Sequence, residues 1–156
     1  MKLFDTFPTL EFNEEMMDIL ADVDVLKVAT NSAKTRLRVY IVSKRLIPKY
    51  IIFALEDGFR KQIPPFKTLD IHVVEKYELS SQYTQEKLWG IYRESILEEL
   101  KAESIFDYEI LKKAKVVFTA HDRMELTVKD GNIVRDRITP LREYLHMVFF
   151  DRCGFE

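Results

Sequence analysis

Apolar and polar positions change period several times along the chain, and each change marks an element. From Thr35 to Ser43, Leu37, Val39 and Ile41 alternate with Arg36, Arg38 and Tyr40. A period of two puts the two sets on opposite faces of a half-buried strand. The run Val25–Thr30 precedes it across the polar turn Asn31-Ser32-Ala33-Lys34, so the pair reads as a hairpin. Upstream, Asn13 followed by Glu14 and Glu15 reads as an N-cap with acids in the first turn, opening a helix to about Ala21. Downstream, Pro48 is expected to open a helix, where a missing N–H costs nothing, and Ile52, Leu55, Phe59 and Ile63 recur at helical spacing. Gly58 inside that helix is unfavourable by about 1 kcal/mol relative to alanine, which points to close packing or a weak point. Pro64-Pro65 ends the helix, and Thr68–Lys76 is again strand-like, with Leu69, Ile71 and Val73 on one face. The first unit is therefore helix-β-β-α-β.

A polar stretch, Glu78–Gln82, separates this unit from a second, giving expected domains of 1–77 and 78–156. Thr84 caps a long predicted helix to about Ala102, with Trp89, Tyr92, Ile96 and Leu100 as its apolar stripe. Ser104-Ile105-Phe106-Asp107 has capping-box spacing and starts a short helix to about Ala114. Lys115–His121 and Met124–Lys129 form a second hairpin around Asp122-Arg123, and a last helix covers about Asn132–Arg152. Pro140 either kinks that helix or, with Thr139 as N-cap, starts a fresh segment; Gly154 stops it. The second unit is α-α-β-β-α, and the whole chain is α+β.

Charge changes this picture more than composition does. A hydrophobic share of 47% and a charged share of 32% suit a globular protein. The net charge of −2 hides a segregated pattern. Residues 1–24 carry seven acids and one base, residues 27–67 ten bases and two acids, and the remainder thirteen bases and seventeen acids. A basic middle stretch suits a polyanion or an acidic partner; alternatively, the acidic lead packs beside it and partly neutralises it. The single cysteine, Cys153, excludes an internal disulfide and fits a reducing cytoplasm. No apolar run approaches a membrane span, the start has no signal-peptide layout, and no membrane partner is expected.

Catalytic chemistry finds no support in the motifs. His72, His121, His146 and Cys153 are scattered singly, without metal-ligand spacing, so neither metal nor cofactor is expected. There is no nucleophile elbow and no glycine-rich phosphate loop. Glu98-Glu99 are neighbours on a helix and point in different directions. The basic set Lys112, Lys113 and Lys115 sits at a helix end, where positive charge is favourable anyway. What remains is a basic and aromatic constellation: Arg36, Arg38 and Tyr40 on one strand face, with Lys34 before and Lys44, Arg45 and Lys49 after. Guanidinium groups and a ring on an open sheet face suit phosphates and a stacked base, and equally suit the solvated side of a strand.

Several stretches add a resemblance. Leu3-Phe4 with Phe7-Pro8-Thr9-Leu10, Arg45-Leu46-Ile47-Pro48, Glu75-Lys76-Tyr77-Glu78-Leu79-Ser80-Ser81-Gln82-Tyr83-Thr84, Lys87-Leu88-Trp89, the helix from Trp89 to Leu100, and Arg152-Cys153-Gly154-Phe155 follow in order. Together they resemble the amino-terminal region of PolC-type DNA polymerase III. The resemblance implies a non-catalytic segment of a replicative polymerase whose longer chain carries a PHP domain, a 3′–5′ exonuclease and the polymerase core. It implies a first domain like the end domain of the clamp-loader tau subunit and a second of variant KH type. A KH domain grips single strands with a GxxG loop, whereas the corresponding Ala102-Glu103-Ser104-Ile105 has no glycine. The partners implied are replisome proteins, clamp-loader subunits among them. Single-stranded DNA or RNA on the basic strand face is the alternative.

Overall fold

The computed structural model describes residues 1–155. Contacts divide the chain into two compact units, Met1–Glu78 and Leu79–Glu156. Both mix helices with a small sheet, so the protein is α+β.

In the first unit a short helix, α1 (Leu3–Thr6), precedes α2 (Glu14–Leu20). Asn13 caps α2 by accepting the Met16 N–H at 2.9 Å, as its sequence position predicts. The hairpin strands β1 (Asp24–Thr30) and β2 (Arg36–Ser43) follow, then α3 (Lys49–Gln62) and β3 (Asp70–Tyr77). Pro48 is the cap residue of α3, one position earlier than expected, and Pro64–Phe66 makes a 3₁₀ turn. Strand order is β1-β2-β3, with β1 antiparallel and β3 parallel to β2. The parallel pairing needs a crossover, and α3 supplies it while packing on β3. Leu37, Val39, Ile41, Ile71 and Val73 are buried on one sheet face; Ile52, Leu55 and Phe59 bury the matching stripe of α3. Phe59 meets Phe7 edge-on at 4.8 Å between ring centres.

Gly58 is buried in α3, and its lack of a side chain makes room for Phe12. A Cβ there would lie 2.5 Å from the ring carbon Cε1 of Phe12. Phe12 is held in place by Gln62, one turn on, whose amide bonds both backbone groups of Glu11, at 2.6 and 2.7 Å.

The second unit runs α4 (Gln85–Glu103), α5 (Ile105–Lys113), β4 (Lys115–Ala120), β5 (Arg123–Thr127) and α6 (Asn132–His146). Thr84 and Ser104 cap their helices through the N–H groups of Lys87 and Asp107. Trp89, Tyr92, Ile96 and Leu100 are all buried. Helix α6 continues through Pro140, so no fresh segment starts there, and it passes into a π-helical turn, Met147–Arg152. Gly154 ends it with φ of 76°, donating to the Phe150 carbonyl. Arg152 and Glu99 form a buried two-point ion pair at 3.1 and 3.0 Å, and the Tyr144 hydroxyl donates to the same carboxylate. Burial pushes the Tyr144 phenol up, reinforced by the negative Glu99 beside it.

Candidate functional site

The sheet of the first unit covers one face with α3 and leaves the other exposed. Strand pairing decides which side chains share that open face. Across it, Lys27 of β1, Tyr40 of β2 and Val74 of β3 are partners; so are Ala29, Arg38 and His72; and Arg36 lies beside Asp70. Arg36, Arg38, Lys27, His72 and Lys76 are all exposed. Arg36 and Arg38 make no ion pair or side-chain hydrogen bond among the described residues. Tyr40 is half-buried, and the Lys27 ammonium lies 4.5 Å from its ring centre, a cation–π geometry that occupies one face of the ring.

Lys34 sits at the tip of the β1–β2 turn, at the Arg36 end. Its φ of 56° is a left-handed conformation that a lysine adopts only when the turn demands it. Asn31 makes that demand: its side-chain oxygen accepts from Thr35 N–H at 2.9 Å and Arg36 N–H at 3.1 Å, and its amide donates to the Thr35 hydroxyl. Lys44 and Arg45 lie at the opposite end of β2, about 26 Å away by the rise of a strand. There they line a cleft with Asp22, Asp24, Glu78 and Lys2, and Arg45 donates to the Asp18 carbonyl at 3.4 Å. Acids of the lead thus gather near one end of the basic strand.

Lys49 does not belong to the surface set. It is 2% exposed, and its ammonium is ion-paired with Glu75 in the core. Tyr77 donates to the second Glu75 oxygen at 2.5 Å and receives the Ile47 N–H at 3.3 Å. The reason is helical: Lys49 opens α3 on the side of Ile52, where its stem can run inward. Its carboxylate partner is carried to it by β3.

Of the seven candidate residues, the structure brings together Lys34, Arg36, Arg38 and Tyr40. It sets Lys44 and Arg45 apart and removes Lys49. Lys27, His72 and Lys76 join the face through strand pairing, a signal the single chain carries only as its alternation of apolar and polar positions. At the edge, Glu56 of α3 accepts the outward Val73 N–H of β3 at 2.8 Å and lies 3.6 Å from His72. Burial holds its carboxyl above the ordinary range, against the Val73 N–H and His72, which pull it down.

The second unit has an apolar hollow of about 560 Å³, lined by Met124, Leu126, Ile138, Leu145, Phe149 and Phe150 among others. Its α4 and α5 are joined by the single residue Ser104. Among the described residues no three His, Cys, Asp or Glu side chains converge as a metal site would require. Among the described residues no helix is long and apolar enough to cross a membrane.

No curated protein and no solved structure matches the chain. A family model does: that of the DNA polymerase III polC-type N-terminus I, over residues 2–73 of the 156. The match ends four residues short of the end of β3 and takes in every residue of the open face except Val74 and Lys76. Residues 2–73, which carry most of the basic sheet face, thus match the polC-type DNA polymerase III N-terminus I family.

Proposed function

We propose that this chain is a non-catalytic N-terminal region of a replicative DNA polymerase, and that the open sheet face of its first unit docks an acidic surface of another replisome protein. Clamp-loader subunits are the class of partner to test first. The observation that carries the reading is the pair Arg36 and Arg38, both exposed on a face no helix covers and neither in an ion pair among the described residues. Unpaired surface charge of one sign is a steering and register device for an oppositely charged partner.

Single-stranded nucleic acid is the competing ligand, and the same face argues against it. Nucleic-acid sheets of this kind stack bases on aromatic platforms. Tyr40 is the one Phe, Tyr or Trp on this face among the described residues, and Lys27 already lies over its ring. The single-residue α4–α5 junction in the second unit leaves no room for a gripping loop.

The test compares the chain with Arg36→Glu/Arg38→Glu, measuring binding to isolated clamp-loader subunits and to an oligothymidylate. Protein binding that the double variant loses, with oligonucleotide binding weak in both, supports the reading. Tight, steeply salt-dependent oligonucleotide binding lost in the same variant replaces it with the nucleic-acid reading. Undiminished binding of protein by the variant refutes the assignment of this face.

A further inference from the structure

The outer edge of β1 adjoins the basic face, and it is open. Residues at the very start of the chain cover only its beginning: Leu3 N–H donates to the Val23 carbonyl and Val25 N–H to the Met1 carbonyl, both at 2.8 Å. A bridge joins Lys2 to Asp24 and goes no further. Between Val25 and Lys27 the ladder shifts by one residue, a bulge at Leu26. From Lys27 onward pairing with β2 is in step, through Val28↔Val39 and Ala29↔Arg38 to Thr30↔Leu37.

In an antiparallel pair, residues alternate between exchanging hydrogen bonds with the neighbour and turning both backbone groups away. The Val25 N–H faces outward, toward Met1, so its pair with Ile41 is of the second kind. Lys27 and Ala29 then face β2, and Val28 and Thr30 turn their N–H and C=O groups outward. No backbone partner meets the Val28 groups among the described residues. Beside them Leu26 is 58% and Val28 42% exposed, an apolar margin on an edge strand. Natural edges are usually blunted by short length, charge or cover, and here only the bulge and Lys27 do so.

We propose that the edge of β1 from Leu26 to Thr30 receives an extended segment of the partner protein, in which acidic residues alternate with apolar ones. The proposal rests on the docking role assigned to the basic face and states the form of the docked element. Main-chain bonds to Val28 and Thr30 supply the affinity of strand addition. A period of two then sends alternate side chains of the added strand to opposite faces. Those on the open face lie next to Lys27, with Arg38 one strand further in. Those on the other face meet Val28, whose partner Val39 belongs to the core. An acidic–apolar alternation is complementary to both faces at once; a uniformly acidic or uniformly apolar strand is complementary to one.

The experiment uses the full chain and a short capped peptide of alternating glutamate and valine, with binding and backbone amide shifts followed by NMR at about 50 mM salt, where surface charge acts strongly. Three comparisons accompany it: the same peptide N-methylated on the edge-facing residues, the chain carrying Val28→Pro, and Arg36→Glu/Arg38→Glu. Proline is tolerated on an edge whose N–H faces outward, so Val28→Pro removes a docking donor without removing a ladder bond. The expected result is amide shifts confined to β1 and a loss of about tenfold or more on N-methylation and with Val28→Pro. Equal binding of the N-methylated peptide, shifts centred elsewhere, or no detectable binding overturns the proposal. If charge reversal abolishes binding while N-methylation leaves it intact, the edge is wrong and the basic face stands. If charge reversal changes nothing, the docking role of the face fails with it. An oligothymidylate that displaces the peptide and binds more tightly assigns the face to nucleic acid and also overturns the proposal.

Discussion

Replacing Gly58 with alanine tests whether close packing, and not backbone freedom, keeps glycine in the middle of α3. Helix propensity alone favours alanine by about 1 kcal/mol. Against this, the new methyl would sit 2.5 and 2.6 Å from two ring carbons of Phe12, where ordinary carbon contacts need at least about 3.5 Å. The ring must therefore retreat by about 1 Å. The two hydrogen bonds between Gln62 and the Glu11 backbone oppose that retreat, because Glu11 is the residue next to Phe12. Overpacking of this kind costs about 1–3 kcal/mol, so the net effect is a destabilisation of up to about 2 kcal/mol.

The decisive comparison is a cycle with Phe12→Ala. Once the ring is gone the methyl has open space, and Gly58→Ala becomes stabilising by up to about 1 kcal/mol. The sign of the substitution reverses between the two backgrounds. Tryptophan fluorescence is the wrong probe, since Trp89 lies in the second unit. Hydrogen exchange of the buried strand amides at Val39 and Ile41 follows the unit that matters. If Gly58→Ala stabilises both backgrounds equally, the contact with Phe12 carries no energy and the packing argument is wrong.

Two further predictions concern buried charge. Lys49→Ala leaves Glu75 buried without its ammonium and is expected to destabilise the first unit by about 3–5 kcal/mol, whereas Lys49→Met with Glu75→Leu comes close to the parent stability; urea unfolding followed by strand-amide exchange checks both. Glu56 has a carboxyl raised by burial, so the folded state holds a proton that the unfolded chain releases. Its contribution to stability is whole below the ordinary carboxylate range and is lost as pH rises through the raised folded value. Glu56→Gln keeps an acceptor for the Val73 N–H and carries no titration. Its stability relative to the parent should therefore climb as pH rises above the ordinary carboxylate range. A difference that is flat with pH rules out the raised carboxyl.

Local signals gave nearly all of the element order. Asn13, Thr84 and Ser104 cap the helices they were expected to cap, because a side-chain oxygen two or three residues ahead of an orphan N–H is a purely local device. The short helix α1 was not legible, since four residues carry no period. The behaviour of Pro140 was ambiguous for a different reason. A helix anchored by buried Leu141 and Leu145 on its far side can lose one hydrogen bond and continue, and that anchoring is tertiary. The same division holds at the site. Alternation along β2 placed Arg36, Arg38 and Tyr40 on one face, while Lys27 and His72 arrived through register across strands. Lys49 looked like one more base in a basic run. Only its position at the head of α3, opposite a glutamate brought by β3 from 26 residues away in sequence, decided that it points into the core.

The acidic lead does pack beside part of the basic segment, and where it stops bears on the docking proposed for the open face. Acids of the first 24 residues do gather on the basic segment, but at one end: Asp22 and Asp24 share a cleft with Lys44 and Arg45, while Asp24 also holds Lys2 at 3.5 Å. On the open face near Arg36 the one acid is Asp70, its partner across the strands, and no ion pair forms between them among the described residues. Acids are thus unevenly spread along β2: Asp22, Asp24 and Glu78 share a cleft with Lys44 and Arg45 at the Ser43 end, and Asp70 lies beside Arg36 at the turn end. A fully neutralised strand would need no partner, and a uniformly basic one would attract any polyanion. For the docking proposed above, an uneven spread gives an acidic segment a preferred direction, with its charge drawn to Lys34 and Arg36 more than to the end where Asp22 and Asp24 stand among the bases. On the proposed docking the acidic lead is a register stop, so Asp22→Asn/Asp24→Asn is expected to loosen where such a segment docks more than how tightly it binds, which amide shifts along β1 would show.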